Sequence, residues 1–103
     1  MKEINVRQLK KMLDDGGVKL VDVREEHEIS ICSIKESILI PMNEIPHQLQ
    51  NFERDTCYAV ICHSGVRSRA VAGFLINNGF NAINVIGGIH DWALVIDKNM
   101  KTY

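Results

Sequence analysis

The sequence predicts an α/β fold built on a central, mostly parallel sheet with helices on both faces. Apolar runs of strand length alternate with amphipathic segments of helical length. Connections of that kind make right-handed crossovers between parallel strands. A further observation places the chemistry: Cys62-His63-Ser64-Gly65-Val66-Arg67-Ser68 joins one strand to the next helix, and in parallel sheets reactive groups gather beyond the carboxyl ends of the strands.

Taken in order, Asn5 can cap a helix from Val6 to about Asp14, with Val6, Leu9, Met12 and Leu13 on one face and Gly16-Gly17 as its stop. Val18 to Val23 is a strand by its β-branched and apolar content. A short helical turn is expected near Glu26 to Ile31. Ile38-Leu39-Ile40 is a strand that Pro41 ends. From Asn43 to about Phe52 a second helix is expected, with Ile45, Leu49 and Phe52 on one side and Pro46 in the first turn, where proline is tolerated. Cys57 to Ile61 is a buried strand. The helix behind it should run from about Ser68 to Asn78, with Val71, Phe74, Leu75 and Ile76 as its apolar stripe and Asn78-Gly79 as its end. Ala82 to Ile86 reads as a strand, Gly87-Gly88 as a turn, and His90 to Leu94 as a short helix carrying Trp92.

With 103 residues, the chain reads as one small domain over 1–103, able to bury roughly two-thirds of its unfolded surface. A formal net charge of −1 and 46% hydrophobic residues argue against disorder and against a polybasic surface for nucleic acid or anionic membrane. No apolar run reaches signal-peptide or membrane-span length, so a cytoplasmic protein is expected. Three cysteines are an odd number for a disulfide framework and suit a reducing compartment. Cysteines and histidines do not recur in pairs at ligand spacing, so no metal or other cofactor is expected.

The loop after the apolar run Cys57 to Ile61 is where a reactive thiol is expected. Gly65 is the residue best able to take a positive φ in the sharp turn from strand to helix. That turn leaves backbone N–H groups free at the positive end of the helix, where they favour a bound anion and an ionised sulfur. Cys62 should therefore ionise more easily than a free thiol. The helix alone is too weak: two pKa units need about 2.7 kcal/mol, and a helix terminus supplies roughly 0.3–1 and at most about 2. Direct N–H hydrogen bonds and Arg67 are expected to add the rest.

These residues resemble the rhodanese-like sulfurtransferases in their single-domain form. The resemblance runs through Leu20-Val21-Asp22-Val23-Arg24-Glu25, Ile40-Pro41, the Cys62 to Arg67 loop, and Val85-Ile86-Gly87-Gly88 with Trp92. It implies a small sandwich around a five-stranded sheet. It also implies a sulfurtransferase of the thiosulfate type, with Cys62 as the catalytic residue that carries a persulfide between a donor such as thiosulfate and an acceptor such as cyanide or a thiol. His63, Ser64, Gly65, Val66, Arg67 and Ser68 would bind the substrate, their amides holding the persulfide's charge. One stretch departs from the family pattern: Cys32-Ser33-Ile34-Lys35-Glu36-Ser37 stands where a Gly-His-Ile-Pro-Gly-Ala-like run is usual. That motivates an alternative, a sulfur-relay or protein-interaction module taking sulfur from a partner's persulfide. A cysteine-dependent phosphatase or arsenate reductase is a third reading. Four residues separate Cys62 from Arg67, where those enzymes resemble a pattern with five, and the shorter ring suits one sulfur atom better than a tetrahedral oxyanion.

Several residues also have an ordinary structural role open to them. Arg67 can tie the loop to the sheet or contact an anionic donor. His63 can add charge at the entrance or face solvent. Ser64 and Ser68 can donate to sulfur, and Ser68 fits a helix cap. Arg69 belongs on the exposed rim. Asp22 and Arg24 fit a structural ion pair better than acid–base roles. Cys57 fits packing inside its strand, Trp92 and Phe80 fit the core, and Cys32 could act as a resolving thiol only if it reached Cys62.

Overall fold

Alternation of side chains along three of the strands splits the core into two layers. In the computed structural model, which describes residues 1–103, the strands are β1 (Glu3–Ile4), β2 (Lys19–Asp22), β3 (Ile38–Leu39), β4 (Cys57–Ile61) and β5 (Asn81–Val85). They form one sheet in the order β1-β5-β4-β2-β3, and every pairing is parallel. Successive residues of a strand face opposite sides. Val21, Tyr58, Val60, Cys62 and Ala82 therefore join one apolar cluster, and Leu20, Ala59, Ile61, Ile83 and Val85 join the other.

Helices α1 (Val6–Asp14) and α4 (Gly88–Val95) cover the second cluster through Val6, Leu9, Ile89 and Trp92. The first is covered by α3 (Val66–Asn77), through Val71, Ala72 and Leu75, and by a 3-10 helix over Met42–Asn51, through Ile45. The remaining helix, α2 (Glu26–Ile29), is one turn beyond the end of β2. No helix is long and apolar enough to cross a membrane.

Asn5 caps α1 as expected, in a reciprocal capping box with Gln8. Four differences from expectation have physical causes. Strand β1 was not expected: two residues carry no periodicity, and they become a strand only by pairing with Asn84 and Val85. The Met42–Asn51 helix is 3-10 rather than α, with Pro46, which has no N–H to donate, inside it. Helix α3 starts at Val66, two residues before the expected Ser68, because Gly65 at φ +113° makes the whole turn in one step. Its stripe is narrower too, since Phe74 and Ile76 are exposed while Ala72 is buried.

The altered Cys32–Ser37 stretch is anchored by Ile34, which is buried. The Ser37 backbone N–H closes a turn onto the Ile34 carbonyl at 3.1 Å.

Candidate active site

Cys62 follows the last residue of β4, so the chain leaves the sheet with the thiol turned into the apolar layer beneath α3. The residue is only 1% exposed. Gly65 turns back over it, and its backbone N–H donates to Cys62 Sγ at 3.1 Å. The thiol lies 3.3 Å from Ser68 Oγ. Burial pushes the Cys62 thiol up. The Ser68 hydroxyl, when its proton turns to the sulfur, and the Ser68, Gly65 and Ser64 amides pull it down more strongly, and the balance leaves it below the ordinary thiol range.

The other face of the loop is held by α4. Ile89 N–H donates to the Cys62 carbonyl at 2.9 Å, and His90 N–H to the His63 carbonyl at 3.0 Å. This close approach requires glycine at 88, at φ +58°, because a Cβ there would run into both carbonyl oxygens.

The expected site residues are contiguous, yet they point to different partners. Ser64 and Val66 are exposed, and Val66 reaches 77% exposure. His63 stacks on the Tyr103 ring with centroids 4.0 Å apart. Arg67 does not hydrogen-bond the sulfur. Its guanidinium makes a two-point ion pair with Glu28, at 2.6 and 2.8 Å, so its charge reaches Cys62 only through space. Ser68 is not the helix cap, since Gly65 holds that position. Ser68 lies fully buried and donates to Asn84 Oδ1 at 2.6 Å. Arg69 is on the exposed rim as expected, with Nε 3.8 Å from Glu3.

Asp22 and Arg24 form the structural ion pair, both side chains fully buried. Arg24 also reaches the Glu28 and Cys32 carbonyls and the Tyr103 hydroxyl. Cys32 therefore sits in the Arg24 environment, its Sγ 3.9 Å from Nη1. The Cys57 thiol is pushed up by burial, as fits a packing residue.

Three contributors escape sequence reasoning. Glu28 and Tyr103 join the site only through tertiary contacts, with the Tyr103 hydroxyl donating to Glu28 at 2.8 Å. Burial and Glu28 push that hydroxyl up and Arg24 opposes them, leaving it at about 12. Asn84 had a signal available: it is an amide inside the apolar run Ala82 to Ile86, and a polar group buried there needs a purpose.

Hydrogen bonds from Arg67 hold the Glu28 carboxyl well below its usual range. Burial opposes this, Tyr103 and the Glu25 amide assist, and the value falls from 4.5 to about 2. Because folding depresses this pKa, the stabilisation is complete above about 4.5 and is lost as pH falls through about 2. Glu28→Gln is expected to lower stability at neutral pH, with the gap to wild type closing in acid. Urea midpoints across that range check it, and a constant gap would exclude the linkage.

Comparisons with known proteins bear on the family and the fold. A family model for the rhodanese-like domain matches residues 5–94. The Bacillus subtilis protein YtwF is 37% identical over 93 residues, covering 89% of this chain and 90% of its own. A sulfurtransferase of Allochromatium vinosum is 33% identical over 93 residues, 88% of this chain and 87% of that one. A crystal structure of a rhodanese-like domain protein from Staphylococcus aureus is 38% identical and superposes with a TM-score of 0.87, covering 100% of this chain and 99% of that one. Some other curated relatives are longer proteins, of which this chain spans 22% to 38%.

Proposed function

The chain belongs to the rhodanese-like domain family, and from that premise we propose that it is a sulfurtransferase carrying sulfur as a persulfide on Cys62. Sulfur transfer itself has the support of relatives named for that activity. The observation that carries the finer reading is the Cys62 sulfur, which receives the Gly65 amide at 3.1 Å and has its thiol held below the ordinary range.

With thiosulfate as donor, the Cys62 thiolate attacks the outer sulfur. A Cys62–sulfur bond forms as the sulfur–sulfur bond of thiosulfate breaks, and sulfite departs with the electron pair. The persulfide keeps one negative charge, which the loop amides at Ser64, Gly65 and Ser68 would hold as they hold the thiolate. Attack on the outer sulfur by cyanide gives thiocyanate and returns the Cys62 thiolate. A thiol acceptor leaves as its own persulfide by the same displacement.

A second reading, relay from a partner protein's persulfide, draws support from the exposed apolar residues Val66 and Ile86, at 77% and 50% exposure. They line a shallow depression of about 400 Å³ together with Gly65, Ser64 and Arg69. A protein donor could rest on such a rim, whereas thiosulfate has no use for it.

Intact-mass measurement after incubation with thiosulfate, without reductant, tests both. Wild type is expected to gain one sulfur atom that cyanide removes, and Cys62→Ala to gain none. A gain only from a persulfidated donor protein supports relay, and no gain from either donor overturns the persulfide reading.

A further inference from the structure

The hydrogen-bond chain behind Cys62 has a direction that its chemistry dictates. Asn84 Nδ2 lies 2.7 Å from Glu3 Oε2 and 3.3 Å from the Gly65 carbonyl oxygen. Both partners can only accept, so the amide nitrogen must face them and Oδ1 must face Ser68. Oδ1 can only accept in its turn. The single Ser68 hydroxyl proton is therefore committed to Asn84, 2.6 Å away. Towards Cys62 the hydroxyl is left with a lone pair, which accepts the thiol S–H across 3.3 Å. In this arrangement Ser68 stabilises the neutral thiol. Its capacity to lower the thiol pKa is realised only when its proton turns to the sulfur.

We infer that Asn84 and Glu3 are positioning residues for the nucleophilic sulfur: the Glu3 carboxylate orients the Asn84 amide so that the Ser68 proton is held away from Cys62. Ser68, Asn84 and Cys62 are all buried, while Glu3 stands at the wall of the depression beside the loop, so the chain links the sulfur to the surface. When Cys62 loses its proton to a solvent base, Ser68 must break its bond to Asn84 to donate to the thiolate, which leaves Oδ1 without its donor. The Asn84 amide cannot turn over to compensate, because Oδ1 would then face the Glu3 carboxylate. Removing the negative charge at Glu3 takes away the stronger of the two barriers and leaves only the longer contact with the Gly65 carbonyl, at 3.3 Å, which already accepts from the Arg69 N–H. Asn84 can then donate to Ser68, and Ser68 to sulfur.

Other charged groups surround the chain. Arg69 approaches the same Glu3 carboxylate at 3.8 Å. His63 and Arg67 share the loop with Cys62. Arg67 is neutralised by Glu28, and Tyr103 and His90 pack against His63. Asp22 and Arg24 neutralise one another. Among these, only Glu3 contacts the Asn84 amide.

The proposal rests on Cys62 as nucleophile, but its test reads the thiol directly and does not depend on sulfur transfer. The measurement is the pH dependence of Cys62 alkylation by iodoacetamide, with Cys32 and Cys57 replaced by serine and alanine in every variant. Glu3→Gln is expected to lower the Cys62 pKa by about one unit, which is roughly a tenfold rise in alkylation rate below the pKa. Asn84→Leu, which frees the Ser68 proton, is expected to do the same. Adding Glu3→Gln to Asn84→Leu should then change nothing more.

An unchanged pKa in Glu3→Gln overturns the relay. So does simple addition of the two effects, which marks a through-space charge. Should Asn84→Leu not fold, the salt dependence of the Glu3→Gln shift decides. A shift that survives at about 1 M salt supports the relay, and one that disappears overturns it.

Discussion

Cys62→Ser is expected to reduce sulfur transfer by roughly four to six orders of magnitude, the scale seen when a covalent nucleophile is removed. It should leave the fold intact. The substitution exchanges one atom. A serine Oγ in the same place can accept from the Gly65 amide and donate to Ser68, as the sulfur does at 3.1 and 3.3 Å, so stability should hold to within about 1 kcal/mol. What disappears is the ionised form: the loop amides lower a thiol into reach, but no comparable set brings a serine hydroxyl near neutral pH. Steady-state thiosulfate:cyanide turnover in both proteins, with urea unfolding as the control, measures the two halves separately. If the variant kept even a hundredth of wild-type turnover, Cys62 would not be the sulfur carrier. Aryl phosphate hydrolysis is expected at background in both proteins, and hydrolysis by wild type that Cys62→Ser lacks would revive the phosphatase reading against the four-residue spacing from Cys62 to Arg67.

Where the sequence could and could not be read follows from the range of the interactions. Elements stabilised by their own periodicity or capping, such as the Asn5-capped α1 and the apolar β4, appear with bounds close to those expected. So does the glycine turn at Gly65, because positive φ is a local demand that few residues meet. Strand β1 and the narrowed stripe of α3 are decided by partners far along the chain, and no local pattern announces them.

The same division runs through the site. Cys62 and its amides are local and were legible. The partners of Arg67 and Ser68 were not, since Glu28 is 39 residues from Arg67 and Asn84 is 16 residues from Ser68. Arg67 was expected to serve the sulfur because loop spacing brings the two together in sequence. A carboxylate with two oxygens in reach outcompetes a single sulfur for a guanidinium, since two parallel charge-assisted bonds form at once.

The second large effect is expected away from the sulfur. Arg24→Ala should cost about 3–5 kcal/mol, the range measured when one partner of a buried ion pair is removed. At this chain size that is a fall in melting temperature of roughly 15–30 °C. Every donor of the Arg24 guanidinium is used: Nε and Nη2 bind the Asp22 carboxylate, Nη2 also binds the Cys32 carbonyl, and Nη1 binds the Glu28 carbonyl and the Tyr103 hydroxyl. Truncation leaves the Asp22 charge fully buried with only the backbone N–H of residue 24 against it. It also releases the turn from Glu28 to Cys32, which leads into the Cys32–Ser37 stretch that departs from the family pattern. A second arm separates charge burial from that anchoring. If the buried charge dominates, Asp22→Ala added to Arg24→Ala should recover a large part of the loss, because no unpaired charge remains. If anchoring dominates, the double variant should be as unstable as the single one. A loss below about 1 kcal/mol for Arg24→Ala would mean that water reaches Asp22 once the guanidinium is gone, contrary to the full burial of both side chains.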